Sequence, residues 1–211
     1  MAIEQLTTER QTREKRGRPS HREDLRQELL DAAKAFVMRE GYEALSMRRL
    51  ADEIGVSSAA PYHHFPDRRS LLLAVALDGY QSMFDESLAG LEDSPPAEKL
   101  RGLFLNFLKF ASDHRRIFAL MYESELVRES IAPEIQQAQD IGFRRLHGIV
   151  HEAAPHLSDR ERGIRMATVW CAVFGFALQS NRAMIRTPQP EPQSGELAEQ
   201  LVGQALRLLD I

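Results

Sequence analysis

A chain of 211 residues with 43% hydrophobic and 27% charged residues is ordinary for a soluble globular protein and can bury one sizeable core, or a small domain packed on a larger one. Its single cysteine, Cys171, excludes an internal disulfide, fits a reducing cytoplasm, and is expected as a small buried apolar residue. No apolar run can span a bilayer, the polar N-terminus is no secretory signal, and the net charge of −4 is unevenly spread, with 13 Lys/Arg against 12 Asp/Glu in residues 1–70 and 14 against 19 in the rest. A phosphate-binding surface would therefore be a local patch in the N-terminal part and not a global field.

Residues 1–19 lack apolar periodicity. The stretch RQTREKRGRP reads as a flexible basic arm, either a solvated tail or a segment that follows the DNA backbone or minor groove. Ser20-His21-Arg22-Glu23 has the form of a capping box and opens a first helix. Leu25, Leu29, Ala33 and Phe36 share one face of it, and Gly41 ends it. A second, short helix is expected over Met47–Ile54, with Leu50, Ala51 and Ile54 on one face. Gly55 breaks the pattern and Val56 is apolar. Ser57 can cap a third helix over about Ser58–His64, which carries Tyr62 and runs up to Phe65. Pro61 removes an early hydrogen bond there, so a tight or 3₁₀ start is expected. Asp67 can cap a fourth helix running from Arg68 to about Gly90.

The C-terminal half continues as helices. Apolar residues recur at helical spacing over Leu100–Ala111, Arg115–Tyr122 and Ile135–Ala153, after a Pro95 suited to a first turn. Ser158-Asp159-Arg160-Glu161 is a second capping box, and a long, mostly apolar helix follows it. After a proline-bearing loop over Thr187–Gln193, a last helix starts near Ser194. No strand alternation is present, so the expected fold is all-α with about nine helices.

The stretch Ser46–Leu71 has the spacing of a helix-turn-helix, with small Ala51 at the crossing, Gly55 in the turn and Val56 plugging the angle. Together with Gly41, Ser46, Leu50-Ala51, Gly55-Val56-Ser57, Tyr62-His63-His64-Phe65 and Arg68, it resembles the DNA-binding end of the TetR family of transcriptional repressors. Trp170 to Ala183 is similar to a Trp-x-x-x-His-Gly pattern found in one subgroup of that family, with Phe174 standing where the pattern has His. The resemblance implies a division into a basic arm (1–19), a helix-turn-helix domain (20–66) and a ligand-binding and dimerisation domain (67–211). It further implies a homodimer through the last two helices, a small-molecule effector, and double-stranded DNA as partner, with no cofactor and no catalysis.

Base contacts are expected from Ser58, Ala59, Tyr62 and His63, and phosphate contacts from Arg48, Arg49, Ser57, Tyr62, His64 and Arg68. This set offers few bidentate readers, so DNA shape and head spacing are expected to matter. A ligand pocket is expected among Phe104, Phe107, Phe118, Met121, Tyr122, Phe143, His147, Trp170 and Phe174. Asn106 and Gln179 are further polar candidates. His147 and His151 lie four apart with Glu152 and His156 nearby, but without a matching motif they read as a helix face and not a metal site. The expected function is a cytoplasmic, ligand-responsive regulator, with repression at a palindromic operator as its mode. The alternative is a small-molecule-binding or catalytic helical protein whose helix-turn-helix is structural.

Overall fold

The computed structural model describes residues 21–125, 133–185 and 195–211, with side chains from Leu25 onward. The basic arm, Ser20 and the side chains of the first capping box, and the Thr187–Gln193 loop fall outside them. The described residues form eight α-helices and no strand. They are α1 (His21–Glu40), α2 (Met47–Glu53), α3 (Arg68–Leu88), α4 (Pro96–Asp113), α5 (Arg115–Glu123), α6 (Pro133–Ala153), α7 (Asp159–Asn181) and α8 (Glu196–Leu206). A 3₁₀ turn, Ala60–His63, replaces the expected third helix, and another, Arg207–Leu209, extends α8.

Local chemistry sets most of these boundaries. Gly41 closes α1 at φ +91°, where a side chain is disfavoured, and its N–H donates to the Val37 carbonyl at 2.9 Å. Ser46 caps α2, its hydroxyl accepting from the Arg49 N–H at 3.2 Å. Asp67 caps α3, accepting from both the N–H and the hydroxyl of Ser70 at 2.7 Å. Those hydrogen bonds hold its carboxyl below the usual carboxylate range. The second capping box forms at the start of α7, where Ser158 and Glu161 satisfy each other's backbone N–H groups.

The third helix differs because proline and the cap work against it. Ala59 stands before the turn without a side-chain cap, and Ser57 is exposed. Ala60, Tyr62 and His64 each bond three residues back, at 3.0, 3.2 and 3.0 Å, while Pro61 has no N–H to give. Only Phe65 bonds four residues back, to the Pro61 carbonyl at 2.9 Å.

One continuous core joins the N-terminal head to the larger C-terminal bundle. In the head, Leu29, Ala33, Phe36, Val37, Leu45, Leu50 and Phe65 are buried. In the bundle, α3, α4 and α6 pack on one another, and α7 and α8 cover α4. Cys171 is exposed, contrary to the expectation of burial. It lies on the outer face of α7 with Ile164, Ala167, Thr168 and Ala172, all exposed. No described helix is long and apolar enough to cross a membrane.

Candidate functional site

The sequence-derived contact residues divide into two groups. Ser57, Ser58, Ala59, Tyr62 and His63 are all exposed within one seven-residue stretch, and Arg48 is exposed on α2. Tyr62 keeps 53% of its surface open, too much for a core aromatic. The turn is held by Phe65, buried to 3%, and by Pro61. His64 is half-buried. One cation was not foreseen: the exposed Arg26 of α1 lies over the Phe65 ring, 5.1 Å from its centroid. Its position comes from how α1 crosses the turn, which spacing alone does not reveal.

Arg49 and Arg68 are engaged within the head. Arg49 pairs with Glu40 at 2.7 Å, donates to the Ala44 carbonyl at 3.2 Å, and lies 4.7 Å over Phe36. Arg68 is half-buried. Its Nε donates to the Leu45 carbonyl at 2.7 Å and its Nη2 to those of Tyr42 at 2.5 Å and Glu43 at 3.3 Å. The guanidinium is thus turned onto the α1–α2 connection and not outward. Its planar fork satisfies carbonyls that a helix cannot reach.

Two further contacts fasten the head to the bundle. Lys34 of α1 pairs with Asp78 of α3 at 2.5 Å and reaches Ser82 at 3.2 Å. Arg116 of α5 donates to the Met38 carbonyl at 3.1 Å and also to that of Arg39, covering carbonyls at the end of α1.

The bundle holds an open-sided cavity of about 530 Å³ between α3, α4, α6 and α7, with Tyr122 of α5 in its wall. Of the nine residues expected to line it, Phe107, Tyr122, Phe143, Trp170 and Phe174 do. Phe104, Phe118, Met121 and His147 do not. Phe104 and Phe118 are fully buried and Met121 is 2% exposed, so they pack behind the wall. Phe118, for example, supports the Tyr122 ring from 4.7 Å. His147 lies beside Phe143, their ring centroids 6.4 Å apart, without facing the cavity. Asn106 instead donates to the Ser87 carbonyl at 3.3 Å near the end of α3, and Gln179 is exposed. Helical periodicity marks the buried stripe but cannot say which buried residues border a void.

The lining that sequence reading missed comes mostly from α3 and α6: Tyr80, Met83, Phe84 and Ser87 from the first, Gln139 and Gly142 from the second. Trp170 and Phe174 stack at 17° with centroids 5.6 Å apart. Tyr122 meets Phe174 edge-on at 4.9 Å. Tyr80 donates to the Met121 carbonyl at 3.1 Å and accepts from Gln139 at 2.9 Å. Burial pushes its hydroxyl up to about 12 and raises that of Tyr122 well above its ordinary value, so both stay neutral. No group of three or more His, Cys, Asp or Glu side chains suited to a metal exists among the described residues.

Residues 29–75 match the family described as bacterial regulatory proteins, tetR family, and residues 100–205, half of the chain, match the tetracyclin repressor-like C-terminal domain. The transcriptional repressor KstR2 of Mycolicibacterium smegmatis is 32% identical over 117 residues, which are 55% of this chain and 57% of that one. The chain thus spans little more than half the length of the curated relatives it matches. A Rhodococcus sp. RHA1 protein of unknown function is 26% identical with a TM-score of 0.73, covering 92% of this chain and 98% of that one. A likeness in fold alone, at 17% identity and a TM-score of 0.62, links it to AibR in complex with isovaleryl coenzyme A and operator DNA, over 85% of this chain and 96% of that one. With an N-terminal head built around an exposed turn and a helical bundle that matches the C-terminal domain over half its length, this chain belongs to the TetR family of bacterial regulatory proteins.

Proposed function

We propose that the protein is a DNA-binding transcriptional repressor of the cytoplasm, released from a palindromic operator by a small molecule held in the bundle cavity. The observation that carries this reading is α3. Its first residue, Arg68, holds the head together, and its later turns present Tyr80, Met83, Phe84 and Ser87 to the cavity. A second connection runs through α5, where Arg116 caps α1 and Tyr122 lines the cavity. A ligand that favours one disposition of α3 and α5 biases the heads by its difference in affinity between the two states. The division into arm, head and bundle at residues 19/20 and 66/67 follows the same logic, with α3 as the shared element.

Tyr62, His63, Ser57, Ser58, Ala59, His64 and Arg48 form the proposed DNA-facing set, with Ser58, Ala59, Tyr62 and His63 toward base edges. Arg26 joins them as a phosphate contact. Arg49 and Arg68 act by shaping the head. The test is a gel shift with the DNA upstream of the protein's own gene at stated salt. Retardation that weakens steeply as salt rises is expected, and Tyr62→Ala is expected to weaken it more than about ten-fold without changing thermal stability. Absence of retardation by the intact protein would overturn the reading. A reporter gene that falls silent when this gene is deleted would replace repression with activation.

Repression at a palindrome requires two heads. The outer face of α7 offers small or apolar exposed residues, from Ile164 through Ala167, Thr168, Cys171 and Ala172, beside the 43%-exposed Leu208. Small side chains let two helices approach closely, and two copies of this stripe would make a self-complementary interface. A short bis-maleimide is expected to link two copies through Cys171, with Cys171→Ser abolishing the link. A monomeric mass by light scattering at micromolar concentration would contradict this.

A further inference from the structure

Ser87 carries a buried hydroxyl in the cavity wall that the protein leaves unanswered. Its hydroxyl is buried and has no hydrogen-bond partner, although the residue lines the cavity and is only 5% exposed. A serine inside a helix can usually turn its hydroxyl to the carbonyl four residues back. Here it does not, and an orphaned buried hydroxyl disfavours folding unless something else occupies the space before it. The two tyrosine hydroxyls of the wall are differently placed. Tyr80 spends its hydroxyl on the Met121 carbonyl and on Gln139, and Tyr122 faces the Met83 sulfur at 3.6 Å.

The rest of the wall constrains the remainder of the ligand. Trp170 stacks on Phe174, Phe107 lies 5.1 Å from Trp170, and Phe84 and Phe143 line the α3 and α6 sides. Such walls favour flat ring systems, by area and by ring stacking. Among the described residues, the only charged side chains in the lining, Asp140 and Arg145, are exposed and opposite in sign. A ligand charge carried inside would lose its hydration with no buried partner to replace it.

We infer that the cavity takes an uncharged, flat, polycyclic ligand with a hydrogen-bonding oxygen that is met by the Ser87 hydroxyl. This rests on the reading of the cavity as the effector site and specifies its chemistry.

Three probes that share one ring system test it: 9-phenanthrol, phenanthrene and phenanthrene-9-carboxylate. Affinities are measured by equilibrium dialysis. Trp170, the only tryptophan of the chain, reports through its emission that the probe sits in the cavity. The phenol is expected to bind about ten-fold more tightly than the hydrocarbon, the gain of one neutral hydrogen bond to a buried group. The carboxylate is expected to bind weakest. Ser87→Ala, which removes only the oxygen, is expected to bring phenol and hydrocarbon within about two-fold of each other. Equal binding of phenol and hydrocarbon to the natural protein would overturn the inference, as would preference for the carboxylate, discrimination that survives Ser87→Ala, or binding of none of the three. If Ser87→Ala does not fold, Ser87→Cys, which replaces the oxygen with a weak sulfur partner, carries the same comparison: phenol and hydrocarbon are expected to come within about three-fold, and retained ten-fold discrimination would overturn the inference. Correct ranking without DNA retardation leaves this inference standing and removes the proposed function. DNA retardation with incorrect ranking does the reverse.

Discussion

Arg68→Ala is expected to destabilise the head by about 2–3 kcal/mol and to weaken DNA binding more than ten-fold. The guanidinium donates to three carbonyls of the connection between α1 and α2. Alanine would leave those acceptors short of partners in a half-buried place and release the loop that positions Ser46, the cap of α2. Urea unfolding read alongside gel shift checks both effects. Arg68→Lys separates the two roles open to this residue. A phosphate contact needs mainly a cation, which lysine supplies. A fork across three carbonyls does not survive as a point charge, so lysine is expected to restore little of the stability. Full recovery of DNA binding in Arg68→Lys, or an Arg68→Ala variant as stable as the natural protein, would return Arg68 to the phosphate-contacting set.

This residue marks where the sequence stopped being legible. The capping residues Ser46, Asp67 and Ser158, the glycine ends at Gly41 and Gly55, and the 3₁₀ character around Pro61 all follow from chemistry within a few residues. Asp67, Ser158, the two glycines and Pro61 could be read directly, while Ser46 entered only through the family resemblance. The direction of Arg68 depends on a loop 23 to 26 residues away. A basic residue beside a helix N-terminus has the same local signature whether it turns inward or outward. The cavity presents the same difficulty at larger scale. Phe104 and Phe107 lie one turn apart on α4 and both are buried, yet only Phe107 borders the void. Ser87 gave no signal at all, because a serine on a helix reads as surface. Cys171 misled in the opposite sense: small and apolar by type, it lies on an open face of α7.

Gly142→Ala is expected to shrink the cavity and leave the DNA-facing turn untouched. A Cβ at this position would come 2.1 Å from Cε1 and 2.2 Å from Cζ of Phe84, inside any tolerable contact. Glycine here lets α6 approach α3 over an aromatic ring. The ring is the mobile partner and the void lies beside it, so the expected response is a swing of Phe84 into the cavity. Replacing glycine inside a helix favours the helix by about 0.5–1 kcal/mol, while overpacking costs about 1–3 kcal/mol, leaving a modest net loss. A double-mutant cycle isolates the contact: Gly142→Ala in a Phe84→Ala background should lose the overpacking cost, giving a coupling of about 1–2 kcal/mol by urea unfolding. The functional consequence follows from the same displacement. The single variant is expected to bind operator DNA with unchanged affinity, take up 9-phenanthrol more than ten-fold more weakly, and resist release. Removing the Phe84 ring should restore the lost space and with it the uptake. Additive stabilities in the cycle would mean that α6 moves as a body and not the ring. In that case the space would close from the α6 side, and Phe84→Ala would fail to reopen it.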